Sequence, residues 1–417
     1  MILRAELIWT GRGELIRDGA IRIGNGHVEW VGPFDAMDVA PQAAEDLGHA
    51  ILLPALINAH THLDLSHVGR RLARTRSFSS WLKRMARARM VTVFEGHSIR
   101  KGIDHVVAGG AVAVGDVSVS GKSAPLLWRH GLVRSVVYCE IYGLDPDGAI
   151  RRAARLRHRV EGLLGRPAVR VGISPHAPYS VSPQLFARCV ELAEEYALPM
   201  AIHTAESDIE VDFLTGGTGE LRALLENYGL LPEGWKPPGM TPVQYLDSLG
   251  ILAMKPTLIH CNYVSQAEAE LLARAGCSAV HCPRSNAFFR RTADSLQTLL
   301  AAGVNVALGT DSLASNDSLS MLDEMVFLKR VHPELEWRTI FEMATVNGAR
   351  ALGYEQGGML AQGLPANVAA ISLPVSDGEQ MEPGALDASS SVLFTMMHGR
   401  KFTGRPGVLQ EMRAVTA

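Results

Sequence analysis

The sequence predicts an α/β protein, a (β/α)8 TIM-type barrel with a small β-sandwich domain built from the N- and C-terminal segments. From about residue 50 to 350, short β-branched runs alternate with longer segments of helical periodicity, as in βα units around a parallel sheet. Short apolar stretches separated by glycines fill the first fifty residues, and short strands return near the end. We therefore expect residues 1–50 and 354–417 to form one β domain and residues 51–353 to form the barrel.

The strands of the small domain are predicted from short apolar segments at both ends of the chain. In the N-terminal part these segments are 2–3, 7–9, 20–23 and 28–31, and in the tail they are 367–372 and 391–394. Because glycines separate the early segments, we expect an antiparallel β-layer there. The tail strands are expected to join the same layer.

Eight barrel strands are predicted between these two segments. They end near His62, Ser118, Glu140, His176, His203, His260, Pro283 and Asp311. Segments 184–196 and 265–276 are the clearest helices between them. The catalytic side chains of barrel enzymes lie at the C-terminal ends of the strands, so these positions are where we expect a site.

Composition excludes several classes of protein. Acidic and basic residues nearly balance, with a net charge of −3 over 417 residues, so we expect no nucleic-acid partner. The first residues lack a secretory signal and no apolar run reaches a membrane span, which predicts a cytoplasmic protein without a membrane partner. Five cysteines without a Cys-x-x-Cys pair are expected to be buried thiols. We also expect a homodimer, although the sequence does not identify its interface.

Histidines and an aspartate at the strand ends predict a metal centre. His60 and His62 follow the first barrel strand and, being two residues apart in an extended segment, point to the same side. His203 ends the fifth strand and Asp311 the eighth. Three imidazoles and one carboxylate leave a coordination position for water, as at catalytic zinc sites. The alternative is that each residue is an ordinary core histidine or helix cap. That explanation would have to hold separately at every one of these strand ends.

With these residues the chain resembles the amidohydrolase superfamily, in its deaminase and chlorohydrolase branch. The segment 358–367 also resembles a family motif, with Asn367 where the family usually has Asp. The resemblance implies that His60, His62, His203 and Asp311 bind one divalent ion, most simply Zn²⁺, with Fe²⁺ or Mn²⁺ as alternatives. It further implies that Asp311 accepts a proton from water, that Glu206 shuttles protons and that His260 contacts the attacking hydroxide. Glu206 could instead be an N-terminal helix carboxylate.

Several segments resemble one family in this branch, the aminodeoxyfutalosine deaminases of the futalosine route to menaquinone. They include 60–66, 78–82, 139–143, 175–180 and 281–286. The resemblance implies an aminohydrolase that acts on an adenine-nucleoside-type substrate. The alternatives are a deaminase of S-adenosylhomocysteine, adenosine or another heterocycle, a chlorohydrolase, and a catalytically silent barrel scaffold.

The fourth strand offers no lysine or carboxylate to bridge two ions, so one ion is expected.

Five residues at the predicted barrel mouth are candidates for binding a small-molecule substrate. They are His176, Arg284, Phe78, Trp81 and Glu140. His176 could bond a ribose hydroxyl, or could be a buried structural histidine. Arg284 could pair with a substrate carboxylate in the two-bond geometry of a guanidinium, or could face water. Phe78 and Trp81 could cover an aromatic ring, or could only pack their helix.

Overall fold

The computed structural model describes residues 1–68, 80–81, 83–85, 95–130, 135–165, 169–354, 356–374, 382–405 and 408–411. Its strands, numbered in chain order, are β1 Ile2–Ile8, β2 Ile16–Gly24, β3 His27–Pro33, β4 Glu45–Asp46, β5 Ala50–Pro54, β6 Leu56–Thr61, β7 Ala111–Ser118, β8 Ser135–Ile141, β9 Val169–Pro175, β10 Ala201–Thr204, β11 Thr257–His260, β12 Ser278–His281, β13 Asn305–Leu308, β14 Val368–Ser372, β15 Val392–Met397, β16 Arg400–Arg405 and β17 Val408–Glu411.

Strands from both ends of the chain form one sheet of nine strands. Its order is β17-β16-β15-β14-β5-β1-β2-β3, with β4 paired to β1. Side chains such as Leu3, Ile21, Leu52, Val368 and Phe394 share one buried cluster on this sheet. The prediction that the tail joins the N-terminal strands is therefore confirmed. A two-layer sandwich, and domain limits at residues 50 and 354, stay predictions.

Two parallel sheets of four strands lie between these terminal strands. Their orders are β6-β7-β8-β9 and β10-β11-β12-β13. Single parallel bridges link the sheets at both edges, Thr61 with Asp311 and Ile173 with Met200. The eight predicted strands are present, each ending within three residues of its expected position. We keep the closed eight-stranded barrel as our interpretation of this arrangement.

Helices follow most of the parallel strands. The described α-helices are Glu95–Ala108, Ser123–Arg129, Ala149–Glu161, Pro183–Tyr196, Asp208–Gly216, Gly219–Asn227, Pro242–Ser248, Gln266–Ala275, Pro283–Phe289, Leu296–Ala301, Met321–Val331, Trp337–Ala344 and Val346–Ala351. Ser182 and Ser265 cap two of them by accepting a backbone N–H three residues later. The two helices predicted from sequence are thus confirmed. No helix in the described ranges combines the length and apolar character needed to cross a membrane.

One predicted strand is divided in two. The sequence suggested a single strand over 51–57, but β5 ends at Pro54 and β6 begins at Leu56. The backbone N–H of Ala55 bonds Asn367 in the large sheet, whereas that of Leu56 bonds Gly110 beside β7. Proline has no N–H to continue a ladder, so the chain changes sheets at this point.

All five cysteines are buried and free, as expected.

Candidate active site

The imidazoles of His60, His62 and His203 meet at the C-terminal ends of β6 and β10. One ring nitrogen from each lies within 4.8 Å of the others. His62 Nε2 is 3.3 Å from His203 Nε2, and the ring centroids of His60 and His62 are 4.8 Å apart. Burial lowers the pKa of all three imidazoles, so they are neutral at pH 7, which is the form that binds a metal.

The hydrogen bonds of these rings fit a bound cation. The Nδ1 atoms of His62 and His203 each lie 3.0 Å from a backbone carbonyl, of Val117 and His176. A carbonyl only accepts, so each Nδ1 carries the hydrogen and each Nε2 presents a lone pair. Two lone pairs 3.3 Å apart repel unless a cation lies between them. His60 adds two buried ring nitrogens that have no hydrogen-bond partner in the described part of the chain.

Asp311 presents one carboxylate oxygen to this cluster. Its Oδ1 is 3.6 Å from His60 Nε2 and 3.8 Å from His62 Nε2. Its Oδ2 accepts hydrogen bonds from Ser285 at 2.7 Å and Ser315 at 2.6 Å. Burial would raise the pKa of Asp311, but the neighbouring imidazoles, His60 first, lower it well below 3.8. The centre therefore contains an ionised carboxylate beside three neutral imidazoles.

Glu206 and His260 lie at the edge of the same centre. Glu206 Oε1 accepts a hydrogen bond of 2.6 Å from Arg291 Nη2. The His260 ring is 5.9 Å from that of His60 and 5.6 Å from that of His203. Burial lowers the pKa of His260 to about 4, so its ring is neutral and offers one donor and one acceptor.

Left-handed backbone conformations place several of these side chains. The φ angles are +50° at Ala205, +73° at His260 and +56° at Asp311, at or just after the ends of β10, β11 and β13. Non-glycine residues rarely adopt such angles, which cost of order 1–3 kcal/mol and are concentrated at functional sites. The strained turns therefore mark the same end of the sheets as the imidazole cluster.

The sequence profile of the Amidohydrolase family matches residues 51–401. The chain belongs to this family. The match covers both parallel sheets and two of the four C-terminal strands, so it includes every residue of the centre described above.

Curated relatives in this family are deaminases. The aminodeoxyfutalosine deaminase of Deinococcus radiodurans is 32% identical over 371 residues, covering 84% of this chain and 85% of the relative. The 5-methylthioadenosine/S-adenosylhomocysteine deaminase of Nitratidesulfovibrio vulgaris is 30% identical over 393 residues, covering 88% and 82%. Together with the family match, these similarities show that the protein is a hydrolase that acts on carbon–nitrogen bonds.

The fold is also similar to that of a solved amidohydrolase. The Helicobacter pylori aminofutalosine deaminase in complex with methylthio-coformycin superimposes with a TM-score of 0.81 at 20% identity. The alignment covers 96% of this chain and 99% of that chain. This similarity supports the amidohydrolase fold along nearly the whole chain.

Glu140 and His176 lie beside the cluster of imidazoles, as expected for residues at that end of the sheets. A carboxylate oxygen of Glu140 and a ring nitrogen of His176 lie within 4.8 Å of a ring nitrogen of His203. Glu140 is 2% exposed, and His176 Nδ1 is 2.7 Å from Ser180 Oγ. Both residues can therefore contact a small molecule bound over the imidazoles, and their role in binding substrate stays a prediction.

Arg284 lies in a different environment from the one expected. Its guanidinium is 3.0 Å from Asn316 Oδ1, contacts Asp317 and lies 3.5 Å from Asp323 Oδ2. The carboxylate of Glu324 is 3.8 Å away, and the side chain of Arg284 is 20% exposed. These groups offset its charge, and the role of Arg284 as the partner of a substrate carboxylate stays a prediction. Sequence position could not reveal partners from the segment after β13.

The predicted aromatic wall has only one member in the described part of the chain. Phe78 lies outside the described residues. Trp81 donates its indole N–H to the Ala314 carbonyl at 3.2 Å and lies edge-on to Phe289, with centroids 5.1 Å apart. It shares a hydrophobic cluster with Leu65 and Val68, so the described contacts of Trp81 are packing contacts.

Sequence reasoning missed the residues that hold the carboxylates of Glu206 and Asp311. Arg291, whose side chain is 7% exposed, pairs with Glu206, and Ser285 and Ser315 bond Asp311. Glu210 accepts the backbone N–H of Glu206 at 2.8 Å and so fixes the turn after β10. Two of these contacts join residues four apart in the sequence, Glu206 with Glu210 and Asp311 with Ser315, and this short spacing was the only local signal for them.

Stability should fall with rising pH partly because of Glu210. Burial raises the pKa of this carboxyl from 4.5 to about 8 in the folded protein. The unfolded chain therefore releases the proton near pH 4.5 while the folded protein keeps it to about pH 8, so stability decreases across that window. We expect Glu210→Gln to show a shallower decrease than wild type in urea unfolding between pH 5 and 8. Glu226→Gln, at an exposed ion pair, should keep the wild-type slope, and equal slopes for wild type and Glu210→Gln would exclude this role.

Proposed function

We propose that the protein is a metal-dependent aminohydrolase that removes the amino group of an adenine nucleoside, with aminodeoxyfutalosine as the first candidate substrate. The observation that carries the proposal is the cluster of His60, His62, His203 and Asp311 beside the Glu206 carboxylate. The similarity to the D. radiodurans aminodeoxyfutalosine deaminase supports the choice of substrate. The reaction would then belong to the futalosine route to menaquinone, in the cytoplasm, carried out by a homodimer with a barrel fold.

The metal proposed for this centre is one zinc ion per active site. His60, His62, His203 and Asp311 would hold it, because imidazole and carboxylate ligands suit zinc, and Fe²⁺ or Mn²⁺ can occupy similar sets. When bound, the ion supplies a water nucleophile at neutral pH. The carbonyl bonds of His62 and His203 would keep both rings oriented toward the ion.

Three residues would then move or hold protons. Asp311 is ionised and has Oδ1 directed toward the imidazoles, so it can accept a proton from water. Glu206 is ionised before the reaction, so it could take up one proton of the water and pass it to the ring nitrogen next to the amino-bearing carbon. The second proton, accepted by Asp311, could leave with the ammonia, whose departure Glu206 would assist. His260, a neutral ring with a buried Nδ1, can donate to the oxygen on which charge develops.

Ammonia release from a substrate panel tests the proposal. The panel contains aminodeoxyfutalosine, 5-methylthioadenosine, S-adenosylhomocysteine, adenosine and a chlorotriazine, each at several concentrations with zinc-loaded protein. A kcat/KM for aminodeoxyfutalosine at least about tenfold above the others is expected, since a matched buried polar contact is worth about 1.5–3 kcal/mol. A higher kcat/KM for S-adenosylhomocysteine would contradict the proposed substrate but would still support deamination. Chloride release alone would indicate a chlorohydrolase, and no reaction with any compound would favour the scaffold.

Arg291 should set the pH dependence of this reaction through Glu206. Burial raises the pKa of Glu206, but Arg291 and His260 outweigh burial and keep the pKa below 4.5. Removing a neighbouring arginine raises a carboxyl pKa by about one to three units. We therefore expect Arg291→Met to move the acidic limb of the kcat/KM profile to higher pH by that amount. Arg291→Lys keeps a positive charge, so its acidic limb should move by less.

The exposed neighbour Arg290 provides the matched control. Arg290→Met should keep the wild-type profile, since Arg290 is at the surface. If Arg291→Met lowers kcat but leaves the acidic limb of the kcat/KM profile at the wild-type pH, then Arg291 has only a structural role.

A further inference from the structure

A second cluster of metal-binding side chains lies outside the candidate active site. It consists of His281 at the end of β12, Asp294 before helix Leu296–Ala301, and His332 at the C-terminal end of helix Met321–Val331. One ligand atom from each residue lies within 4.8 Å of the others. These segments are distant in sequence, so only the folded chain brings them together.

The strand pattern places this cluster on the outer face of β12. Val280 and Cys282 share a cluster with Ala59 and Ala307 of the other strands. Ala279 instead belongs to the large cluster that contains side chains from the outer helices, including Leu296 and Leu328. Side chains alternate along a strand, so His281 lies on the Ala279 face, between the sheet and the helices.

Both imidazoles face the same oxygen of Asp294. His332 Nε2 is 2.9 Å and His281 Nε2 is 3.7 Å from Asp294 Oδ2. His281 is 2% exposed, and its buried Nε2 has no hydrogen-bond partner among the described residues. A buried polar nitrogen without a partner is costly, so its orientation toward a carboxylate and a second imidazole favours the binding of a cation at this position.

The surrounding hydrogen bonds prepare His332 to bind through Nε2. Its Nδ1 is 3.1 Å from Glu334 Oε1, and the same oxygen accepts Gln297 Nε2 at 2.8 Å. A carboxylate only accepts, so Nδ1 donates to Glu334 and Nε2 donates to Asp294 Oδ2 at 2.9 Å. A metal ion would take the place of the Nε2 hydrogen, with Nδ1 still donating to Glu334. Such an outer carboxylate on the second ring nitrogen is the usual support of a metal-binding histidine.

Asp294 is held in place and remains accessible. One of its oxygens, Oδ1, accepts the backbone N–H of Leu296 at 3.0 Å, which leaves Oδ2 toward the imidazoles. Its side chain is 35% exposed and that of His332 is 14% exposed, so an ion can enter from solvent. Burial lowers the pKa of His281, which therefore stays neutral and able to bind at pH 7.

We propose that His281, Asp294 and His332 form a second site for a divalent transition-metal ion, with zinc as the first candidate. Two imidazoles and one carboxylate match the ligand types that zinc binds, and leave positions for water. The ion would tie the end of β12 to two outer helices. Its contribution is to stability, because an ion that binds only the folded chain shifts unfolding by mass action.

Metal content tests the second site without measuring turnover. Protein stripped with a chelator is equilibrated with excess zinc, desalted and analysed for metal. Wild type should hold about two zinc ions per chain, while His332→Ala and His203→Ala should each hold about one, and the double variant about none. His158→Ala, which removes an exposed histidine on another helix, should keep the wild-type content. About one ion in wild type, with no loss in His332→Ala, would overturn the proposal.

Thermal unfolding in zinc gives a second readout. We expect zinc to raise the Tm of His203→Ala through the second site, and Asp294→Asn to abolish that increase in the same background. Glu334→Ala should weaken zinc binding at the second site by about 10- to 100-fold, since it removes the outer partner of His332 without removing a ligand. An unchanged zinc response in the Asp294→Asn background would also overturn the proposal. Neither readout depends on deamination, so failure here leaves the proposed function as it stands.

Discussion

Glu206→Gln is expected to lower kcat by about two to four orders of magnitude while the protein keeps its fold and its active-site metal. Glutamine preserves the size of the side chain and can still accept the Arg291 hydrogen bond, which is 2.6 Å in wild type. It cannot carry a proton to the ring nitrogen or to the departing ammonia. The proposed zinc ion binds through His60, His62, His203 and Asp311 and not through Glu206, so the metal content should not change.

The comparison that isolates this effect is with Glu226→Gln, an exposed carboxylate paired with Arg222. That variant makes the same chemical change away from the centre and should keep the wild-type kcat. Ammonia release under saturating substrate, with metal analysis of the same samples, provides the measurement. Wild-type activity in Glu206→Gln would remove Glu206 from the mechanism.

His60→Ala is expected to cause an equal or larger loss. His60 is fully buried, and neither ring nitrogen has a hydrogen-bond partner in the described structure, so its proposed role is to bind the ion. Without the ion, water keeps its ordinary pKa of about 15.7 and provides no nucleophile at neutral pH. We expect activity to fall by more than about four orders of magnitude, with the loss of one zinc ion per chain.

Chelation should reproduce this loss in wild type, and added zinc should reverse it there but not in His60→Ala. His97→Ala, which removes an exposed histidine, should retain activity and zinc. A His60→Ala protein that keeps its full zinc content and turns over substrate would contradict the proposed metal centre.

Strand alternation was sufficient to predict the core of this centre from the sequence. The spacing of His60 and His62 places both rings on one side of β6, and parallel strands bring His203 and Asp311 to the same end. Neither inference needs knowledge of distant contacts. The strand positions followed for the same reason, because buried parallel strands are short continuous apolar runs.

The supporting contacts could not be predicted in this way. Arg291 reaches Glu206 from the segment after helix Pro283–Phe289, and Asp311 is bonded by Ser285 of that helix and by Ser315. The positions of these segments depend on packing between helices. The same limitation applies to the contacts of Arg284, because Asp317 and Asp323 become its partners only when the chain after β13 folds back. Local patterns identify which residues end a strand, whereas tertiary structure decides which charges meet.

The change of sheets at Ala55 has a consequence for how the protein is made. The strand that carries His60 begins two residues after β5, and β5 is paired on one side with β14, which is synthesised more than three hundred residues later. Contacts between such distant segments form late, because the intervening loop must be closed first. During translation, β5 therefore lacks its partner β14 until residues 368–372 have been made, and a chain that ends before residue 368 would have an open strand edge next to the segment that carries His60 and His62.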